Sequence, residues 1–468
     1  MKAPSGSLHR TALLIGLLTC LATGTGRAAP AAPTAATGIP PENSAGTPSE
    51  SRGLIDGDIL ALHAQSTFVF QGHDGFHAPY GGPQSLDRAA RGNETWDVTL
   101  YAGLHPWQGG EIWADGEIDQ GFGISNTTGI AGFTSGEAYK VGRAVPYFRV
   151  HRAFYRQTVN LGGTPERGAS GLNQFGTIHT TDRLVLTLGK FAVTDIFDAS
   201  SYAHDPRTDF LNWTAIDAGT FDYAADSWGY TAGIAGEWYQ DRWTLRSGAF
   251  LMSNTPNSPD IDTSFHQVQA DEEIEERHSL LGRPGRILVT AFLSHARMAD
   301  LADAVRLSRR TGQPADAAAV RHYGNRPGIS LMLEQGLTAD LGIFLRAGWA
   351  DGRYESYEFT DIDRSLAAGL SLAGSSWHRP DDRIGIAGMT NGAGRQLKAY
   401  LAAGGTGQLV GDGKLPHPGD EHIAELYYDA AVIRPVHATL DYQWIGNPAY
   451  NRDRGPVSVL AFRLHGQY

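Results

Sequence analysis

Apolar and polar residues alternate with period two along much of this chain. Near its end, Leu460, Phe462, Leu464, Gly466 and Tyr468 share one face, while Ala461, Arg463, His465 and Gln467 share the other. Trp96, Val98, Leu100, Ala102 and Leu104 likewise oppose Thr95, Asp97, Thr99 and Tyr101. Ile112, Ala114, Gly116 and Ile118 oppose Glu111, Trp113, Asp115, Glu117 and Asp119. Ala153, Tyr155, Gln157, Val159 and Leu161 oppose Arg152, Phe154, Arg156 and Thr158. Period two means strands with two unlike faces. Runs of ~9–11 residues suit a tilted membrane-crossing strand and exceed the usual ~5–6. A soluble sandwich shows the same period, so alternation alone leaves both architectures open.

Such segments fall at 60–70, 95–105, 110–120, 147–161, 182–190, 228–239, 242–252, 264–277, 286–297, 327–336, 341–350, 364–373, 382–390, 422–430, 437–445 and 457–468, sixteen in all. The segment 264–277 is the least regular of these strands, and its acidic half Asp271–Glu276 could be a loop or helix instead. The connections mostly alternate short and long, as in an outer-membrane barrel with short periplasmic turns and long external loops. The 162–181 connection breaks the rule, being long where a short turn is expected. A sandwich has no reason to sort its loops, so the pattern predicts an all-β transmembrane antiparallel barrel of about 16 strands. In the long 298–326 connection, Met298, Leu301, Ala302, Val305 and Leu307 have helical spacing, with Arg306, Arg309 and Arg310 opposite. This predicts a short helix, either a plain external loop or a lid over a pore.

The start of the chain changes the picture from fold to destination. Lys2, His9 and Arg10 precede an apolar stretch from Thr11 to Leu21, and Gly26-Arg27-Ala28 offers a cleavage site. This reads as a secretory signal over residues 1–28, too short to span a bilayer as a helix. Residues 29–54 are rich in Pro and Ala and read as a flexible lead-in, which leaves 55–468 for the barrel. Cys20, the only cysteine, lies in the signal, so the exported chain needs neither disulfides nor thiol chemistry. A lipidated cysteine there is poorly supported by Thr19 before it. The whole chain carries −12; setting aside Lys2, Arg10 and Arg27, the only charges in the first 28 residues, leaves −15. That balance argues against nucleic-acid binding, which needs a basic stripe. It fits solvated acidic loops, an acidic lumen, or carboxylates sharing divalent cations with lipopolysaccharide.

No phosphate loop, zinc-protease, nucleophile-elbow or dinucleotide motif occurs, so no enzyme and no cofactor is expected. Asp361-Ile362-Asp363 lacks the rest of a calcium loop. Glu111, Asp115, Glu117 and Asp119 are the densest acid set at strand spacing. Three readings compete: ordinary lumen wall, a constriction field against arginines, or a glycosidase carboxylate pair. Arg152, Arg156, Arg246, Arg346 and Arg463 lie on strand segments at pore-facing positions, with Asp97, Tyr101 and Trp113 sharing that parity. Guanidinium groups and carboxylates suit sugar hydroxyls, and rings stack on sugar C–H faces. Loop 191–227 is the expected constriction, holding Asp195, Asp198, Asp209, Trp213, Asp217 and Asp222 among many rings. A purely solvated loop has no use for that many rings, and the barrel wall is available to them.

From about Leu62 to Tyr468 the chain resembles the OprB-type carbohydrate-selective porins. The similar segments are Glu117-Ile118-Asp119-Gln120-Gly121-Phe122-Gly123, Ser135-Gly136-Glu137-Ala138-Tyr139-Lys140 and Asp209-Phe210-Leu211-Asn212-Trp213. They continue with the runs Asp217–Asp226 and Asn447–Pro456. The resemblance implies a sixteen-stranded barrel, passive passage of small sugars such as glucose, and no cofactor. It also implies outer-membrane lipid and lipopolysaccharide as surroundings, and assembly through the barrel machinery, whose closing-strand signal Tyr468 resembles. The rival expectations are a general ion porin, a polysaccharide exporter, or a secreted sugar-binding or sugar-cleaving β protein. A homotrimer and a monomer stand equally.

Overall fold

The computed structural model describes residues 53–138 and 142–468. The signal segment and nearly all of the lead-in lie outside the described residues. A two-residue strand β1 (Ile55–Asp56) pairs on β2 (Leu60–His73). The wall then runs through β3 (Arg91–Trp107), β4 (Gly110–Gly121), β5 (Arg143–Arg167), β6 (Ile178–Phe191), β7 (Thr231–Gln240), β8 (Trp243–Leu251) and β9 (Val268–Leu280). It continues through β10 (Arg283–Ala299), β11 (Arg321–Gly336), β12 (Leu341–Ala350), β13 (Arg364–Gly374), β14 (Arg379–Gly392), β15 (Glu421–Ile433), β16 (Val436–Gly446) and β17 (Val457–Gln467). Each of these strands pairs antiparallel with the next, and β17 closes on β2 with Ala461 opposite Gln71. The result is a closed sixteen-stranded barrel with no free sheet edge, which is what a bilayer demands of strands. Every expected strand has its counterpart. The acidic half of 264–277 is strand and its first residues are loop, because β9 starts at Val268.

The alternation sorts residues as expected. Leu440 and Leu460 point outward and are 66% and 65% exposed, bare where lipid covers them. Outward Trp107, Trp238 and Trp243 ring the short-turn end, and Trp96, Trp349 and Trp444 the long-loop end, as two interfacial girdles do. Among the described residues no helix is long and apolar enough to cross a membrane. The long loops hold α1 (Trp213–Ile216), α2 (Leu301–Thr311) and α3 (Arg395–Ala402). α2 is the expected helix, trimmed at its start because Met298 still belongs to β10. Asp300 caps it through the Ala302 N–H (2.8 Å), and Gly312 ends it in the left-handed region. Its buried Leu301, Ala304 and Val305 face the loops rather than solvent.

The irregular 162–181 connection resolves into a long hairpin. β5 continues ten residues beyond Gln157, where Gly110 marks the β4 turn, and stays paired with β6 as far as Arg167 opposite Ile178. Register shifts fall at Gly162, and Gly163 has φ +82°, where a Cβ would strike the Thr181 hydroxyl. The hairpin then doubles back, since Asn173 and Phe175 at its tip touch Asp115 and Trp113 on the inner wall.

Candidate pore lining and constriction

Inside the barrel the interior is set by one long excursion, residues 192–230. Its outgoing leg is fixed first at β5, where Arg152 holds Asp195 through two hydrogen bonds (2.8 and 2.6 Å). Glu273 on β9 accepts from the Asp198 N–H (2.7 Å), and Glu334 on β11 from the Ser201 N–H (2.8 Å) and hydroxyl (2.7 Å). The tip reaches β14 and β17: Arg383 donates to Asp209 (2.9 Å), and Arg463 to the carbonyls of Pro206 (2.7 Å) and Asp209 (2.8 Å). Glu425 on β15 accepts from the N–H of Leu211 (2.6 Å) and of Asn212. The returning leg passes β11, where Arg326 donates to Asp222 (2.9 Å), and β9, where Gln269 accepts from the Ala224 N–H (2.5 Å). Arg346 on β12 clasps both legs, donating to the carbonyls of Ala203 (2.7 Å), Ala215 (2.5 Å) and Asp198 (2.9 Å). On the same strand the Tyr202 ring lies against Gly342, and any Cβ there would enter the ring.

The rings of this loop pack as anticipated. Phe197 meets Phe250, Phe210 meets Phe344 and Tyr427, and Phe221 meets Phe292. Trp213 stacks on Phe133, in the stretch that follows β4, at 5.1 Å, next to the Asn212 cap of α1. Buried apolar contact, with backbone groups paired to wall side chains, is what lets a long loop lie inside a barrel.

β4 and β5 form the charged wall. Register places Glu111 opposite Arg156 and Asp115 opposite Arg152, with ion pairs of 3.4 and 3.6 Å. The acids and arginines are therefore neighbours on adjacent strands, not two fields facing each other across a gap. A bulge at His151 turns both His151 and Arg152 inward, and His151 Nε2 sits 3.3 Å from both Glu117 and Asp119. Opposite this wall stands Arg207 of the loop tip, 3.8 Å from Glu117 and 3.4 Å from Glu137. Asp97 and Tyr101 on β3 are buried on the same side.

Charges in the loop are tuned by this crowding. Burial pushes the Asp195 carboxyl up, but the Arg152 charge and hydrogen bonds more than reverse it and hold it low. Burial raises Asp217 to about 7, helped by the Asp198 charge and opposed by His204 at 3.6 Å and by Arg346.

The strand residues named from the sequence point into the barrel, and they divide by role. Arg246, Arg346 and Arg463 are 4%, 1% and 1% exposed. Arg346 and Arg463 hold the loop, and Arg246 is tied to Glu273 and Glu275, both at 2.7 Å. Asp198, Asp209, Asp222 and Trp213 are internal fastenings of the loop. Arg152, Arg156 and Arg207 keep partial exposure. Sequence reasoning passed over Arg207, Glu425, Glu334, Arg326 and His151. Parity on the strands could have found Glu425 and Glu334, whereas a bulge has no sequence signature for His151.

The family model for carbohydrate-selective porins, OprB family, matches residues 83–468. No curated protein matches the chain. Among solved structures the chain is similar to the high-pH form of Pseudomonas putida OprB, at 16% identity and a TM-score of 0.66, over 88% of this chain and 94% of that one. The Acinetobacter baumannii outer-membrane channel DcaP aligns at 8% identity and a TM-score of 0.49, over 89% and 100% of the two chains.

Proposed function

Because this chain belongs to the OprB family of carbohydrate-selective porins, channels of the bacterial outer membrane, we propose that it passes monosaccharides such as glucose passively along the β3–β5 wall. Family and fold point to a channel rather than an enzyme. The supporting observation is the loop 192–230 pinned from β5 to β17, which sets Arg207 against Glu117 of β4, the strand whose Glu111 and Asp115 pair with Arg156 and Arg152 of β5. Guanidinium forks and carboxylates at that spacing supply donors and acceptors for the hydroxyls of a sugar. The sugar exchanges hydrogen bonds to water for hydrogen bonds to the wall, so entry needs no energy source. Outer-membrane lipid surrounds the girdled wall.

Single-channel conductance of detergent-extracted protein in a planar bilayer, titrated with glucose, tests this reading. Steady channels that glucose partly blocks are expected. Channels indifferent to glucose and to competing sugars would replace the proposal with a general ion porin.

A further inference from the structure

The hairpin tip 168–177 enters the barrel from the short-turn end, where both ends of the strand array lie, and this end faces the periplasm. It meets a patch of inner wall with an unusual mix of groups. The Phe175 ring lies 5.1 Å from the Trp113 ring and is almost fully buried. The Asn173 side-chain amide donates to Asp115 (2.9 Å), and its main-chain carbonyl accepts from Arg156 (2.9 Å). The loop thus offers the wall one flat apolar face, one donor and one acceptor. A pyranose offers the same three things: a C–H face for an indole, a hydroxyl proton for a carboxylate, and a hydroxyl oxygen for a guanidinium.

We propose that Trp113, Asp115 and Arg156 form the periplasmic sugar-binding subsite of that wall, and that the hairpin tip occupies it as an internal stand-in which the sugar displaces. The assignment rests on the sugar-channel reading above and deepens it. The way the tip is held supports displacement. Among the described residues its outer ties are a hydrogen bond from the Ser170 hydroxyl to Asp56 (2.9 Å) on the short strand β1 and the contact of the Phe175 ring with His105 (5.5 Å). The stretch joining it to the wall carries exposed residues from Val159 to Pro165 and bends at Gly162 and Gly163. These two positions have positive φ, a conformation glycine adopts readily, and they mark the bend about which the tip turns. When the tip withdraws, Asp115 and Arg156 lose the Asn173 amide and carbonyl, and sugar hydroxyls take their places. The subsite is then the last binding step before release into the periplasm.

Two sets of variants test this. In D56C/S170C, joined by a short thiol cross-linker that reductant removes, the tip is held in place. Glucose uptake into proteoliposomes should fall at least about threefold on cross-linking and recover on reduction, with each single-cysteine variant unaffected. In F175A/N173A the stand-in loses its ring and its amide, and glucose should block the channel at a concentration at least about threefold lower. Heat-modifiable migration confirms folding of each variant. Unchanged uptake across cross-linking, or unchanged block in a folded F175A/N173A protein, overturns the subsite. If the wild-type protein conducts ions and takes up no sugar, the sugar-channel reading itself has failed. If wild-type uptake is intact and only the variants behave like it, the failure belongs to the hairpin alone.

Discussion

Arg346→Met is the most searching perturbation of the constriction. Arg346 is buried on β12 and its donors reach carbonyls on both legs of the loop, at Ala203, Ala215 and Asp198, with its Nε 3.6 Å from the Asp198 carboxylate. Methionine keeps the unbranched apolar stem and drops the guanidinium, so the change removes the clasp while the stem still packs. Breaking one partner of a buried pair costs about 3–5 kcal/mol. At ~1.4 kcal/mol per decade that is roughly a hundredfold to several-thousandfold rise in the detached population of the loop's middle. Glu425 and Asp222 still hold the tip and the return, so the barrel itself remains closed. The assay is liposome swelling with glucose and with a trisaccharide, alongside open-channel noise. The trisaccharide rate should rise relative to glucose, and noise should increase. A variant with native heat-modifiable migration, an unchanged size cut-off and unchanged noise would refute the claim that this clasp sets the constriction.

Arg156→Ala and Arg152→Ala should both alter glucose permeation, but differently. Arg152 holds Asp195, so its loss loosens the loop and raises noise, whereas loss of Arg156 chiefly weakens glucose block; identical, wild-type traces in both would remove them from the sugar path. Asp217 has its carboxyl raised by burial to about 7 from 3.8, so the folded state binds its proton more tightly than the unfolded chain does. Its contribution is full below the ordinary carboxylate range, falls as pH climbs to about 7, and is flat above. Asp217→Asn should therefore flatten the pH dependence of urea stability between pH 5 and 8 and gain up to a few kcal/mol at pH 8, each unit being about 1.4; an unchanged slope would contradict the assigned burial. Leu440→Arg places a charge on the lipid face near mid-strand and should destabilise the barrel by about 2–4 kcal/mol in lipid. Folded fractions on unheated gels report it, and a neutral effect would deny that this face meets lipid.

Legibility in the sequence followed the range of the forces involved. Strand count, face and turn order depend on residues two apart and on the length of connections, so period two disclosed all sixteen strands and which side of Trp96 or Arg463 faces inward. The aromatic load of 191–227 likewise disclosed a loop that had to be buried, because rings in such number need a surface to pack on. What each inward charge does depends on partners tens to hundreds of residues away in the chain. Arg346 reads as a pore arginine until the loop is seen to place three carbonyls around it. His151 sits outward by strict alternation, and one extra residue in β5 brings it beside Glu117 and Asp119. The long connection 162–181 broke the loop pattern without saying why; only the fold shows it bending at Gly163 to reach Trp113. Local alternation determined that this chain makes a barrel, while long-range packing, which no short window records, decided how its interior is filled.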